Sequence, residues 1–411
     1  MRTALTATAA LLTTATLLAP PATAAGELPY SDQCTFPNGL YPGRPWALQR
    51  VLLDEVWRQS RGKGVRVAVI DTGVDVRNPQ LAHAVDVGSG RNLLPKNLKD
   101  DNGDPVDRGN EHGTDDTVGH GTRVAGIIAA RPLKGTGFVG LAPAATIIPI
   151  QQNDAEGHGT AGTLADAVRY AVRARADVIN ISQDTSNAVK PSSDLEAAID
   201  EALQRKIVVV ASAGNDGLGG NVKKTYPASY DGVLAVAASD RSNERAPFSQ
   251  SGDFVGVAAP GVDIVSTVPK GGHCSDNGTS FSAPYVAGVA ALIKGKHPDW
   301  TAREVVAQIE QTAERTIAGH DRLVGWGVVD PVRALTEDDH PIESPAPQDG
   351  LSRAEAPVAA AFRTGETADE RNARLATYAA VAAAVLVAGI SGAGVAIRDA
   401  RRRARRAARS G

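Results

Sequence analysis

Short, continuous apolar runs alternate with longer stretches in which apolar residues recur every three to four positions. The runs fall at 65–70, 146–150, 177–181, 207–210, 233–237 and 255–258, and are rich in Val, Ile and Ala. Helical spacing marks 121–130, 160–173, 194–205 and 280–294. Unbroken apolar strands separated by helices predict a parallel sheet covered on both faces, because a strand with one solvated face would alternate polar and apolar residues. The pattern therefore predicts one α/β domain over 63–335, a doubly wound parallel sheet with helices on both faces.

The two ends carry different patterns. Arg2, an Ala/Leu/Thr stretch over 4–19, and Ala22-Thr23-Ala24 read as a signal peptide spanning 1–24. Pro20 and Pro21 break that stretch before it reaches the length of a membrane span. Residues 25–62 form an extension with aromatic anchors Tyr30, Phe36, Tyr41 and Trp46 and one helical stretch over 48–57. It is too short to build its own core, so it is expected to pack on the domain. Residues 336–373 are rich in Pro, Ala, Glu, Asp and Thr and read as a solvated linker. Positions 375–397 hold no charge, and 374–397 reads as a transmembrane helix: at ~1.5 Å rise per residue it matches a ~30 Å hydrocarbon core. Arg398, Arg401, Arg402, Arg403, Arg405, Arg406 and Arg409 follow, in a basic tail over 398–411. A tail so placed stays in the cytoplasm and leaves the domain outside, a single-pass type I arrangement in the cell membrane.

Composition changes this picture little. The 411 residues carry a formal net charge of −3, which gives no case for a nucleic-acid partner. An exported chain with only Cys34 and Cys274 suggests one disulfide, two unpaired thiols being the alternative. The loop over 99–117 is crowded with Asp100, Asp101, Asp104, Asp107, Glu111, Asp115 and Asp116. Calcium would favour such oxygens, but the spacing matches no EF-hand, so a solvated loop is expected and no metal is assigned. His112, His158 and His273 lack a ligand spacing and are read as structural or surface residues. No cofactor is called for.

Three segments carry chemistry. Val67-Ala68-Val69-Ile70-Asp71-Thr72-Gly73 ends a buried strand in a carboxylate. Gly119-His120-Gly121-Thr122 places a histidine at the mouth of a small-residue helix, and Gly278-Thr279-Ser280-Phe281-Ser282 opens another helix with a serine. A serine hydroxyl needs an imidazole to take its proton as it attacks, and the imidazole needs a carboxylate to fix its tautomer. A serine at a helix start also sits among backbone N–H groups suited to an oxyanion. Taken singly, Asp71 reads as a cap, His120 as a packed residue and Ser280 as an N-cap.

Together, in the order Asp…His…Ser, these segments resemble the signature blocks of the subtilisin-like serine peptidases. The resemblance covers about 60–335 and implies Asp71 as orienting carboxylate, His120 as general base then acid, and Ser280 as nucleophile. Val208-Val209-Val210-Ala211-Ser212-Ala213-Gly214-Asn215 resembles the oxyanion-hole block, implying the Asn215 amide and the Ser280 N–H as its donors. It further implies that polypeptide substrates add a strand along Ser182-Gln183-Asp184 and Ser212-Ala213-Gly214. Many relatives read Ser-Leu-Gly where this chain has Ser182-Gln183-Asp184, so an acid stands beside the primary pocket.

The whole layout, with Pro45-Trp46-Ala47-Leu48-Gln49-Arg50 before the first block and Gly325-Trp326-Gly327-Val328-Val329-Asp330-Pro331 closing the domain, is similar to the mycosins, membrane-anchored proteases of type VII secretion systems. That resemblance implies secretion-channel subunits as partners and exported proteins as substrates. The extension would then be a packed brace held by a Cys34–Cys274 bridge. A structural part in a secretion complex and a general cell-surface protease are the competing readings.

Overall fold

A computed structural model describes residues 34–99, 103–154, 159–183, 192–218, 224–348 and 368–407. The expected signal peptide, Tyr30, Asp100, Asp101, His158, Asp184, Arg409 and much of the linker lie outside them. The chain divides into two units, Met1–Leu351 and Ser352–Gly411. In the first, α1 (Trp46–Gln49) and α2 (Leu53–Gln59) precede β1 (Arg66–Asp71), β2 (Arg91–Asn92), α3 (His120–Ala129), β3 (Thr146–Gln151) and α4 (Ala161–Arg173). Then come β4 (Val178–Ile181), α5 (Ser193–Gln204), β5 (Val208–Ser212), β6 (Leu234–Ser239), β7 (Val255–Pro260), β8 (Ile264–Thr267) and β9 (His273–Asp276). The unit ends in α6 (Thr279–Lys296), α7 (Ala302–Thr312) and α8 (Pro331–Thr336).

Seven parallel strands form a sheet in the order β2-β3-β1-β4-β5-β6-β7, and β8 pairs with β9 in an antiparallel hairpin. The expected two-faced burial follows from the two-residue period of a strand. Val67 and Val69 of β1 face the core built with α3, α6 and α7, while Ala68 and Ile70 face the core built with α4 and α5. Helix α6 is buried from Thr279 to Lys294, which explains why its sequence has no polar face. Chain order reverses around β1, with β3 on one side and β4 on the other. Ligand crevices form at such switch points, outside the carboxyl ends of the strands.

The extension departs from the single helix expected over 48–57. It breaks at Arg50–Leu52 into α1 and α2, which lets Leu48, Val51, Leu53 and Val56 all bury while Leu52 points outward. Trp46 Nε1 donates to Val262 O and Trp57 Nε1 to Leu141 O, both at 2.9 Å, so the extension packs on the domain.

In the second unit, α9 (Ala368–Ala407) is 40 residues long and runs on through the arginines that follow its apolar segment. Positions 369–405 are long and apolar enough to cross a membrane, and the apolar window has no buried residue. Helix is the form such a segment requires, since it satisfies every backbone group internally.

Candidate active site

Strand β1 ends on Asp71, and α3 starts on His120, so the two lie at the carboxyl edge of the sheet. Asp71 is wholly buried, and its Oδ1 lies 2.8 Å from His120 Nδ1 while also accepting the Thr72 N–H at 2.8 Å. Gly121 permits this approach: a Cβ there would lie 2.1 Å from Gly73 O and 3.0 Å from the Asp71 Cβ. The His120 side chain keeps 27% exposure. Burial disfavours its charged form, but the Asp71 charge and hydrogen bond, with Asp116 adding, outweigh this and raise its pKa above the ordinary value.

Asp116 corrects the expectation of a uniformly solvated acidic loop. Asp104, Asp107 and Glu111 are exposed, but Asp116 is 2% exposed. It accepts five hydrogen bonds, from Thr72 Oγ1, the N–H groups of Val118, Gly119 and Thr122, and Thr122 Oγ1, at 2.6–3.2 Å. Thr72 Oγ1 in turn accepts the Gly121 N–H at 3.0 Å. One carboxylate thus ties the residue after Asp71 to the residues flanking His120, and it takes up helix-start donors that Gly119 has no side chain to cap. Burial pushes the Asp116 pKa up to about 6 against these bonds. An acidic residue among others reads as solvated; the Thr72 and Thr122 hydroxyls that bury it become visible only in space.

The surroundings of Ser280 are simpler. Ser280 is the second residue of α6 and 9% exposed, so its N–H belongs to the first-turn donors that lack intrahelical partners. Pro284 has no N–H to return to the Ser280 carbonyl. Asn215 Oδ1 accepts Thr279 N–H at 2.9 Å and Thr279 Oγ1 at 3.0 Å, which fixes the amide plane and turns its Nδ2 to the other side. A Cβ on Gly278 would lie 2.9 Å from Ser280 Oγ and 3.7 Å from Asn215 Nδ2, so hydroxyl and amide converge on one bare backbone position. The His120 ring reaches this side through Phe281, with centroids 5.4 Å apart. Thr279, to which the sequence analysis assigns no role, holds Asn215 through both of these bonds.

Of the segments expected to line the substrate, Ser182 and Gln183 follow β4 and approach Ser212, whose Oγ donates to Gln183 O at 3.4 Å. Asp184 lies outside the described residues. Ala213 and Gly214 commit their backbone inward: Ala213 N to Val236 O, Thr225 Oγ1 to Ala213 O, Gly214 N to Thr279 Oγ1, and Gln250 N to Gly214 O. The backbone groups of that stretch are thus already bonded within the domain. Cys34 and Cys274 are joined, which fastens the extension to β9. His273 is buried: Tyr41 N–H donates to its Nδ1 at 3.0 Å, and its Nε2 meets Gln80 Oε1 at 2.7 Å. His112 is exposed. Among the described residues no three His, Cys, Asp or Glu group into a metal site.

The subtilase family model matches residues 62–327. Subtilisin Savinase of Lederbergia lenta is 36% identical over 286 residues, covering 69% of this chain and 96% of that protein. Among solved structures, MycP3 protease from the type VII (ESX-3) secretion system aligns with a TM-score of 0.62 and 34% identity over 73% of this chain and 91% of its own. MycP1 from Mycobacterium smegmatis gives 0.62 and 31% over 81% and 91%.

Proposed function

The chain belongs to the subtilase family of serine endopeptidases, and from that premise we propose that Asp71, His120 and Ser280 cleave exported polypeptides outside a membrane that α9 crosses. Asp71 holds a proton on His120 Nδ1, which leaves Nε2 to take the Ser280 hydroxyl proton as Oγ attacks the scissile carbonyl. The oxyanion forms against the Asn215 amide and the Ser280 N–H, His120 returns the proton to the leaving amine, and water then repeats the sequence on the acyl-enzyme. The observation that carries this reading is the 2.8 Å Asp71–His120 contact beside a serine and an oriented amide gathered around Gly278. A fluorophosphonate probe tests it. Wild type should label and Ser280→Ala should not; a folded but unlabelled wild type overturns the reading.

The apolar segment of α9, the arginines that follow that segment and the likeness to MycP1 and MycP3 favour a place beside a type VII secretion channel, with the signal peptide removed and the basic tail in the cytoplasm. The same observations also favour a second reading, in which the chain stabilises that complex. Deletion and Ser280→Ala separate the two. If both stop export equally, the chemistry is the essential part; if export survives Ser280→Ala and one cleavage product disappears, the chain has both roles.

A further inference from the structure

The turn that carries His120 is held from two sides, and the two sides come from different parts of the chain. Inside, Asp116 Oδ1 accepts the Gly119 N–H at 2.7 Å. Outside, the Phe36 ring occupies the space a Gly119 side chain would take: a Cβ on Gly119 would lie 2.7 and 2.9 Å from two ring carbons, and 3.2 Å from Pro269 Cδ. Gly119 caps α3 at φ +84°, a left-handed conformation suited to glycine, and the next residue is His120. The family match begins at residue 62, so Phe36 comes from outside the shared domain.

The ring is also anchored. Cys34 is bonded to Cys274, Asn38 N donates to Gly271 O and His273 N to Gly39 O, both at 3.0 Å. Asn38 Nδ2 donates to Cys274 Sγ at 3.1 Å. Residues 34–39 are thereby laid on the β8–β9 hairpin, and that hairpin is itself tied to α3. Thr267 Oγ1 donates to Thr122 O at 2.8 Å, Ser266 Oγ donates to Arg123 O at 2.7 Å, and Arg123 pairs with Asp276. Disulfide, hairpin and first turn of α3 form one connected block with Phe36 against its catalytic end.

We infer that Phe36 is a positioning residue for His120, pressing the Gly119 turn so that the imidazole stays in line between Asp71 and Ser280. The inference rests on the catalytic reading above. A ring packed against bare backbone resists displacement through dispersion and closeness alone. Without it the turn can move outward, and misplacement of a reacting group by an ångström costs up to about a hundredfold. Phe36 acts on the chemical step, so probe binding should not change.

The test uses the full chain in detergent, with a fluorophosphonate as probe, and separates the maximal inactivation rate from the probe's apparent affinity. Phe36→Ala should lower the maximal rate about tenfold and leave affinity within twofold, with Phe36→Leu recovering most of the loss. The acid limb of the rate profile should move to lower pH in Phe36→Ala, because a looser Asp71 contact no longer holds the His120 pKa up. A melting curve on each variant establishes folding; if Phe36→Ala unfolds, Phe36→Leu and Phe36→Val carry the same comparison. A folded Phe36→Ala that labels at the wild-type rate overturns the inference alone. So does a rate that falls with the acid limb unmoved and no recovery in Phe36→Leu. An unlabelled wild type overturns the catalytic reading and this inference with it.

Discussion

The two halves of the cleft are built in different ways. On the base side, His120 is fixed by Asp71, by the buried Asp116 with its five donors and by Phe36. On the Ser280 side, the serine is placed by the start of a helix, and Thr279 holds the Asn215 amide through two hydrogen bonds. The difference matches what the proposed mechanism asks of each residue. A hydroxyl at a helix start inherits its position from backbone geometry. An imidazole must change charge and hold its orientation while doing so, and only surrounding dipoles and carboxylates can prepare for that.

The comparison can be broken in order of expected effect. Asp71→Asn removes the charge that stabilises imidazolium and presents the wrong tautomer, so the maximal rate should fall by about 10⁴-fold while a probe still binds. A loss under tenfold would mean that Asp116 can substitute for Asp71. Asn215→Ala leaves the base side untouched and removes one oxyanion donor, for an expected loss of about 10²- to 10³-fold in kcat with little change in KM. If that variant instead raised KM alone, Asn215 would bind substrate rather than the developing charge.

Asp116→Asn is the finer probe. An amide has one accepting oxygen for donors that now face two, so some of the network must open, at a cost of about tenfold in rate. Its pH signature is more telling. His120 must be neutral to act and its pKa lies above the ordinary value, so activity rises with pH through that range. Asp116 protonates near pH 6 in the folded protein, and its full set of bonds exists only above that. The wild-type acid limb should therefore bend with two protons and that of Asp116→Asn with one. Equal slopes would show that Asp116 holds its charge throughout.

How far the sequence disclosed the site varies by residue for physical reasons. The strand faces of β1 and β3–β7, and helices α3 to α6, were legible because burial imposes a period on the sequence. Asp71, His120 and Ser280 stand out as candidates in the sequence because each sits in a distinctive small-residue flank. Helix α7 is not among the elements predicted above, although Thr301 and Glu304 form a capping box that is visible in the sequence. The break between α1 and α2 could not be read, since helical spacing does not say where a chain must turn to bury Val51. Phe36 looked like any aromatic anchor. Its contact depends on Gly119, a residue distant in sequence and identifiable only once the extension is laid along the β8–β9 hairpin.

The bridge between Cys34 and Cys274 closes a ring of chain with a sequence separation of 240. Asp71, His120 and Asn215 lie within that ring, and Ser280 lies just past its closure. A single cut anywhere inside the ring severs the backbone but detaches no fragment, because both pieces stay joined through sulfur. A cut between the first unit and α9 has the opposite result and separates that unit from α9 in one piece. Nicking and release thus become separate events, distinguishable by comparing fragment sizes before and after reduction.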